Sequence, residues 1–404
     1  MNIHIGILAD DLTGAVDSSL AFWEHTIPST ILLDDAAMPV RFSEETSTLA
    51  LDTNTRHDIP EVAHTRVLAA TNTLRTMGAT LLYKKIDSTL RGNIGTEVEA
   101  MLAASEARQA IVCPAFPATG RTVVEGRVLV HGVDLLKTAF ASDPRHVVSS
   151  SRVASVLATQ THLPIAELSS PSHVADAHNA AIVVVDAQTD DQLRAWISAV
   201  GLKRDLLWVG SAGLAGALAA TLQARGRALS RAYTTQRLPA ARATLVVVGS
   251  IHPTSREQLE VLGGKRIEIS LAYRQAASCS SEQAAKQIIE ALLHEGRAIL
   301  TVDPIPVDGL IIENILGEVV ASVAARLPAA PHLVLAGGDT ARAVLKRLGI
   351  ARLHIVGAVA PGIPIAETPD RAVRVITKAG GFGTPDVLLR AVRILQEGES
   401  ETLS

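Results

Sequence analysis

Cysteine is nearly absent: Cys113 and Cys279 are the only two in 404 residues, and their separation fits no metal-binding spacing. A disulfide framework and a cysteine zinc site are thereby excluded, and both thiols are expected to be reduced. Aromatic residues make up only 3% of the chain. Its cores must be filled by Ala, Val, Leu and Ile, as where helices cover parallel strands, and a repeated stacking surface for single-stranded nucleic acid is unsupported. Basic charge is not in excess either, since 37 Lys and Arg face 41 Asp and Glu for a net charge of −4. With no broad positive field, nucleic acid and anionic membranes are poor partners, and any anion must be recognised locally. No apolar run is long enough to span a bilayer, and the amino terminus carries neither a basic region nor a long apolar stretch, so a cytoplasmic protein is expected.

What is present is a chain 48% hydrophobic and long enough for two domains. Isoleucines alternate over residues 3–8, Asp10 and Asp11 follow, and residues 12–24 have helical spacing, which reads as strand, polar turn and helix. Further strands are expected at 29–33, 48–51, 79–83, 110–112, 181–185 and 206–209, with helical patterns between several of them. Residues 122–133, β-branched and broken by Gly126 and Gly132, suggest an inserted hairpin. Residues 223–243 carry Arg225, Arg227, Arg231, Arg237, Arg242 and Pro239 but no acid, and mark a linker. A second series follows, with strands at 244–248, 266–269, 298–302, 332–335, 353–356 and 372–376 and helices at 280–294, 309–326 and 384–396; residues after 397 are expected to fray. The fold class predicted is α/β: two parallel-sheet α/β domains, residues 1–230 and 243–398, with the active site in the cleft between them.

In the second series, three strands run into turns rich in glycine or hydroxyl groups. One carries Gly337-Gly338-Asp339-Thr340, one Lys378-Ala379-Gly380-Gly381, and one Gly249-Ser250-Ile251-His252. Such turns let backbone amides approach a phosphate, and a helix amino end favours its charge. Taken singly, Asp339 or Thr340 reads equally as a helix cap. Taken together, the three turns fit a nucleotide site at the carboxyl ends of strands in an open sheet. There is no Walker-type phosphate loop, and Gly210, Gly213 and Gly216 have the spacing of helix packing rather than of a dinucleotide fingerprint.

In the first series, Asp10 and Asp11 end a strand where a carboxylate can accept a hydroxyl proton or order a magnesium-bound ligand, although helix capping would employ one of them. Arg56 ends another strand, and Lys85, Ile86, Asp87, Ser88 and Arg91 follow a third. Arg56, Lys85 and Arg91 gathered near the acidic pair would suit a small polyhydroxylated anion, and Arg121, after the loop at 115–120, approaches the same crevice or belongs to a structural turn.

In order along the chain, ILADDLTGAVDS, DTNTR, YKKIDSTLRGNIGTE, CPAFPATGRT, VGSIHPTSREQ, LAGGDTA and TKAGGFGTPD resemble the signature series of the four-carbon acid sugar kinase family. The resemblance runs from Ile7 to about Val392, and the stretch at 84–95 is more similar to the D-threonate and D-erythronate kinases than to the 3-oxo-tetronate kinases. It implies that Asp10 or Asp11, Arg56 and the segment Lys85, Ile86, Asp87 and Ser88 hold the acid sugar. It also implies that Ser250, Gly337, Gly338, Asp339, Thr340 and Gly381 hold ATP, with Mg2+ accompanying the nucleotide. The expected activity is ATP-dependent phosphorylation of the 4-hydroxyl of D-threonate or D-erythronate, with Asp10 or Asp11 as base. A 3-oxo-tetronate kinase, a nicotinamide-dependent oxidoreductase and a non-catalytic sugar-acid binding protein are the alternatives. Metal ligands are not assigned, and a homo-oligomer is left open.

Overall fold

The computed structural model describes residues 3–33, 41–43, 46–143, 146–226, 243–269, 277–303 and 309–397. Most of the Arg-rich linker segment, the tail after residue 397 and the side chain of Cys279 lie outside the described residues. The chain packs as two compact units, Met1–Ala232 and Tyr233–Ser404.

The first unit opens with β1 (Ile5–Ala9), α1 (Leu12–Trp23), β2 (Ser29–Leu32), β3 (Thr48–Asp52), α2 (Pro60–Met77), β4 (Leu81–Lys85), α3 (Ile94–Ala104) and β5 (Gln109–Cys113). A separate antiparallel sheet follows from β6 (Arg121–Val124), β7 (Arg127–Val130) and β8 (Val133–Asp134), with Gly126 and Gly132 at its turns. The inserted hairpin is thus three-stranded. Beyond the short pair β9 (Ser142–Asp143) and β10 (His146–Val147) come α4 (Val153–Ala158), β11 (Ile165–Leu168), β12 (Ile182–Val185), α5 (Asp190–Val200), β13 (Leu206–Gly210) and α6 (Ala212–Ala224).

The main sheet of this unit is parallel throughout, in the order β11-β12-β5-β13-β4-β1-β3-β2. Its strands, apart from the half-buried edge strand β11, are buried on both faces, which is why several of them read as continuous apolar runs. Helix α1 packs on α6 and α6 on α5, while α2, α3 and α4 form another helical layer. Local signals fix the helix ends: Asp11 caps α1, Pro60 opens α2, left-handed Gly78 closes it, and Ser211 caps α6. Because β1 lies between β3 and β4, with Ala9 level with both Asp52 and Lys85, the turns after these three strands emerge side by side. In an open parallel sheet that edge is where ligands bind.

The second unit contains β14 (Thr244–Val248), α7 (Pro253–Leu262), β15 (Arg266–Ile269), α8 (Ala277–Glu295), β16 (Arg297–Val302), α9 (Gly309–Arg326), β17 (His332–Ala336), α10 (Gly338–Arg347), β18 (Arg352–Ala360), β19 (Ile363–Glu367), β20 (Arg374–Lys378) and α11 (Val387–Glu397). Strands β20-β17-β14-β16-β15 are parallel, and β19 then β18 extend them antiparallel from β20. The antiparallel extension departs from the all-parallel expectation. Pro364 argues locally against a strand, but it pairs with Ala358 beside a bulge, where an absent ladder donor is tolerated. In α11, Val387, Leu388, Ala391, Val392, Ile394 and Leu395 face the core at helical spacing against Val246, Val334 and Ile376 of the strands.

Candidate active site

The sheet edge of the first unit is built on one guanidinium. Arg56 donates from Nε (2.7 Å) and Nη2 (2.9 Å) to the two carboxylate oxygens of Asp10, and from Nη1 to Asp11 (2.6 Å). The backbone supports this fork, since the amides of Thr55 and Arg56 both donate to the Asp10 carbonyl. Burial would raise the Asp10 carboxyl, but Arg56, Lys84 and Lys85 outweigh it and hold the group below its usual range. Asp11 has two duties, because its other oxygen accepts from the Gly14 amide as the cap of α1. Its side chain keeps 19% exposure, against 4% for Asp10.

The two consecutive lysines of β4 diverge, as the pleat requires. Lys84 is buried and pairs with Glu97 of α3 at 2.6 Å; Glu97 also accepts from Thr55, which tethers the turn carrying Arg56. Lys85 turns to α1, where its Nζ donates to the Ile86 carbonyl and lies 3.1 Å from the position a Cβ would take on Gly14. A side chain at 14 would also meet an Asp11 oxygen at 2.8 Å, so the close approach depends on glycine there. Asp87 is gripped by Arg91 from Nε (2.7 Å) and Nη2 (3.2 Å) and by Thr89; burial opposes ionisation, but Arg91 and then Arg56 hold its carboxyl well below the usual range. Ile86 is a core side chain, and Ser88 lies in the turn beyond it. Arg121 donates to the Thr119 carbonyl and stands 5.1 Å from the Phe140 ring, within electrostatic reach of Asp87 and Asp17.

In the second unit the three glycine- or hydroxyl-bearing turns leave neighbouring parallel strands in the order β20-β17-β14, with Lys378, Ala336 and Val248 at one level. They touch. A Cβ on Gly380 would stand 2.3 Å from Ser250 Oγ, one on Gly381 3.2 Å from the His252 ring, and one on Gly337 3.6 Å from the Ser250 amide. Helix α10 begins at Gly338, with Gly337 as its cap and no side-chain cap bond, so Asp339 and Thr340 occupy its first turn rather than capping it. The first-turn amides of a helix have no helical acceptor and suit a phosphate. Helix α7 pins the β20 turn: Ser255 donates to the Gly380 carbonyl (2.7 Å), and Gln258 Nε2 to the carbonyls of Phe382, Gly383 and Thr384. Lys378 Nζ donates to Ser255 Oγ (3.2 Å) and to the Gly380 carbonyl (3.1 Å), and burial lowers its ammonium to about 8.

The structure brings Asp10, Asp11, Arg56 and Lys85 together at one sheet edge, and Ser250, Gly337, Gly338, Gly380 and Gly381 at another. Sequence reasoning gave no individual role to Lys84, Glu97, Asp17 or Lys378. A signal existed for the first, since two lysines in succession on a strand must face opposite ways and one of them needs a buried partner. Among the described residues there is no group of three or more His, Cys, Asp or Glu side chains suited to a metal ion, and no helix long and apolar enough to cross a membrane. Cys113 is buried, which pushes its thiol up to about 12.

Comparison with known proteins assigns the two units separately. Residues 5–218 match a sugar-binding N-terminal domain and residues 245–388 a nucleotide-binding C-terminal domain. A D-threonate kinase of Salmonella typhimurium is 34% identical over 97% of this chain and 98% of its own, and one from Bordetella bronchiseptica is 34% identical over 98% of each. A 3-oxo-tetronate kinase of Pseudomonas fluorescens is 28% identical over 98% of each. A solved structure from Salmonella typhimurium superposes with a TM-score of 0.81 at 21% identity, covering 97% of this chain and all of that one, and so shares the fold.

Proposed function

We propose a substrate and a mechanism for this chain, which belongs to the four-carbon acid sugar kinase family and is a phosphotransferase acting on a hydroxyl group. The reaction is transfer of the γ-phosphoryl group of ATP to the 4-hydroxyl of D-threonate. The observation that carries it is the presence in one chain of an acid-and-cation cluster on the first unit and of three touching glycine- or hydroxyl-bearing turns on the second. The identity of 34% over nearly the whole chain to D-threonate kinases, against 28% to a 3-oxo-tetronate kinase and 34% over only 47% of this chain to a D-erythronate kinase, supports the substrate.

The nucleotide phosphates lie against Ser250, the first turn of α10 at Gly338, Asp339 and Thr340, and the turn at Gly380 and Gly381, with Lys378 as the cation beneath it. Magnesium would enter with the nucleotide as MgATP and would offset charge on the transferring phosphate. The acid sugar occupies the edge at β1, β3 and β4. Arg56 is committed to two aspartates, so Lys85, which bonds no carboxylate in the described structure, supplies the free charge for the substrate carboxylate. Asp11, the more open of the pair, accepts the 4-hydroxyl proton as that oxygen attacks the γ-phosphorus and the bridging oxygen leaves with ADP. Catalysis here is positioning plus electrostatics, as is general for phosphoryl transfer.

An ADP-release assay with MgATP and a panel of four-carbon acids tests this directly. D-threonate should give the highest kcat/KM; a higher value for D-erythronate or 3-oxo-tetronate would replace the substrate, and no release with any acid would remove the reading.

A further inference from the structure

Asp17 is a carboxylate that the foregoing mechanism leaves unused. It lies on α1 one turn beyond Gly14, on the helix face over which Lys85 Nζ sits, and it retains only 8% exposure. Its oxygens make no hydrogen bond or ion pair among the described residues, whereas Asp10, Asp11 and Asp87 are each tied to an arginine. A carboxylate this deeply buried is ordinarily paired, because removing it from water without a partner is costly. The charged groups facing it are Lys85 from β4, Arg121 from β6, and Asp11 and Glu24 from the ends of its own helix; the Tyr83 hydroxyl of β4 is also within reach, but it donates to the Ser211 carbonyl. Two of these, Lys85 and Asp11, already belong to the acid-sugar site.

We propose that Asp17 is a substrate-binding residue whose carboxylate accepts a hydrogen bond from a secondary hydroxyl of the acid sugar. A hydroxyl donor is the fitting partner for a buried carboxylate beside an ammonium group: it satisfies a lone pair without adding charge, and it is the group that distinguishes a sugar acid from a plain hydroxy acid. The placement follows the reading of the site given above, with Lys85 on the substrate carboxylate and Asp11 on the 4-hydroxyl. Burial, opposed chiefly by Lys85 and reinforced by Asp11 and Glu24, raises the Asp17 carboxyl to about 6. Mild acidification therefore removes the charge that strengthens this acceptor, which gives the proposal a second readout.

The test compares wild type, Asp17→Asn and Asp17→Ala on the preferred four-carbon acid and on 4-hydroxybutanoate, which keeps the carboxylate and terminal hydroxyl but lacks the secondary ones. A hydrogen bond to a charged group sets the expected scale. The kcat/KM preference for the hydroxylated acid should shrink about 10- to 100-fold in Asp17→Ala, through KM for the acid, with KM for ATP unchanged. Calorimetric affinity of wild type for the acid should weaken below pH 6 and be flat from pH 5 to 8 in Asp17→Asn. Equal losses on both acids, or a fall in kcat with KM intact, would overturn the proposal, as would an unchanged preference in folded variants. The panel assay decides the substrate itself in wild type, so a wrong substrate and a wrong role for Asp17 give different results.

Discussion

At the scale of single residues the first unit depends on one arginine serving two aspartates. Arg56→Ala strands the buried Asp10 charge, and breaking a buried pair from one side costs about 3–5 kcal/mol. The thermal midpoint should fall and, because Arg56 orders the aspartates of the acid-sugar site, KM for the acid should rise far more than KM for ATP; equal effects on both substrates would mean that Arg56 supports the whole fold rather than that site. The aspartates themselves separate by neighbourhood. Asp11→Asn still caps α1, since Asn caps about as well as Asp, but it cannot take a proton, so turnover should drop about 10²–10⁴-fold with both affinities kept. Asp10→Asn should act chiefly on stability, and full turnover in Asp11→Asn would move the base elsewhere. Asp17 differs from Asp10 in the sign of its linkage to pH. Its folded carboxyl titrates near 6 against an ordinary 3.8, so its stabilising contribution is present below the unfolded value and is lost as pH rises through about 6. The ionised group then costs about 3 kcal/mol at neutral pH. Asp17→Asn should therefore melt higher than wild type at pH 7.5, with the gain vanishing near pH 4; a lower midpoint at pH 7.5 would mean that an unrecognised partner holds the carboxylate.

At the scale of elements the nucleotide site is a matter of three turns in contact. The β20 turn approaches Ser250 so closely that any side chain at Gly380 displaces one of them. Gly380→Val should weaken ATP binding by more than tenfold in calorimetry while leaving affinity for the acid, which lies on the other unit, within error; unchanged ATP affinity in a folded variant would take the phosphates away from this edge. Lys378 provides an independent check. Its ammonium titrates near 8 because it is buried, and an adjacent phosphate would favour the charged form. ATP binding at pH 8.5 should then take up protons, visible as a binding enthalpy that depends on the ionisation enthalpy of the buffer, and Lys378→Met should abolish that dependence.

At the scale of the whole molecule, a net charge of −4 leaves no long-range attraction for anionic substrates, and the cations at the acid-sugar site are largely buried. Buried charges are screened much less than exposed ones, so KM for the acid should change by less than about threefold between 50 and 300 mM NaCl; a steep dependence would point to a diffuse surface field instead. The sequence alone determined which segments become strands and helices wherever a local rule sufficed: the alternating isoleucines of β1, the Asp11 cap, the apolar stripe of α11, and the glycines of the three phosphate-type turns. Each of these is settled by neighbours within a few residues. Only the tertiary structure decided which ends meet. That β1 runs between β3 and β4 brings Arg56 to Asp10 across 46 positions, and nothing local encodes strand order. The same holds for Lys84 and Lys85, alike in sequence, one sealed against Glu97 and the other laid over Gly14. It holds for β19 as well, whose Pro364 is disfavoured in a strand until a bulged partner removes the need for its missing amide. Local propensity is written in short stretches of chain, whereas the partner of a buried charge is chosen by packing among segments far apart in it.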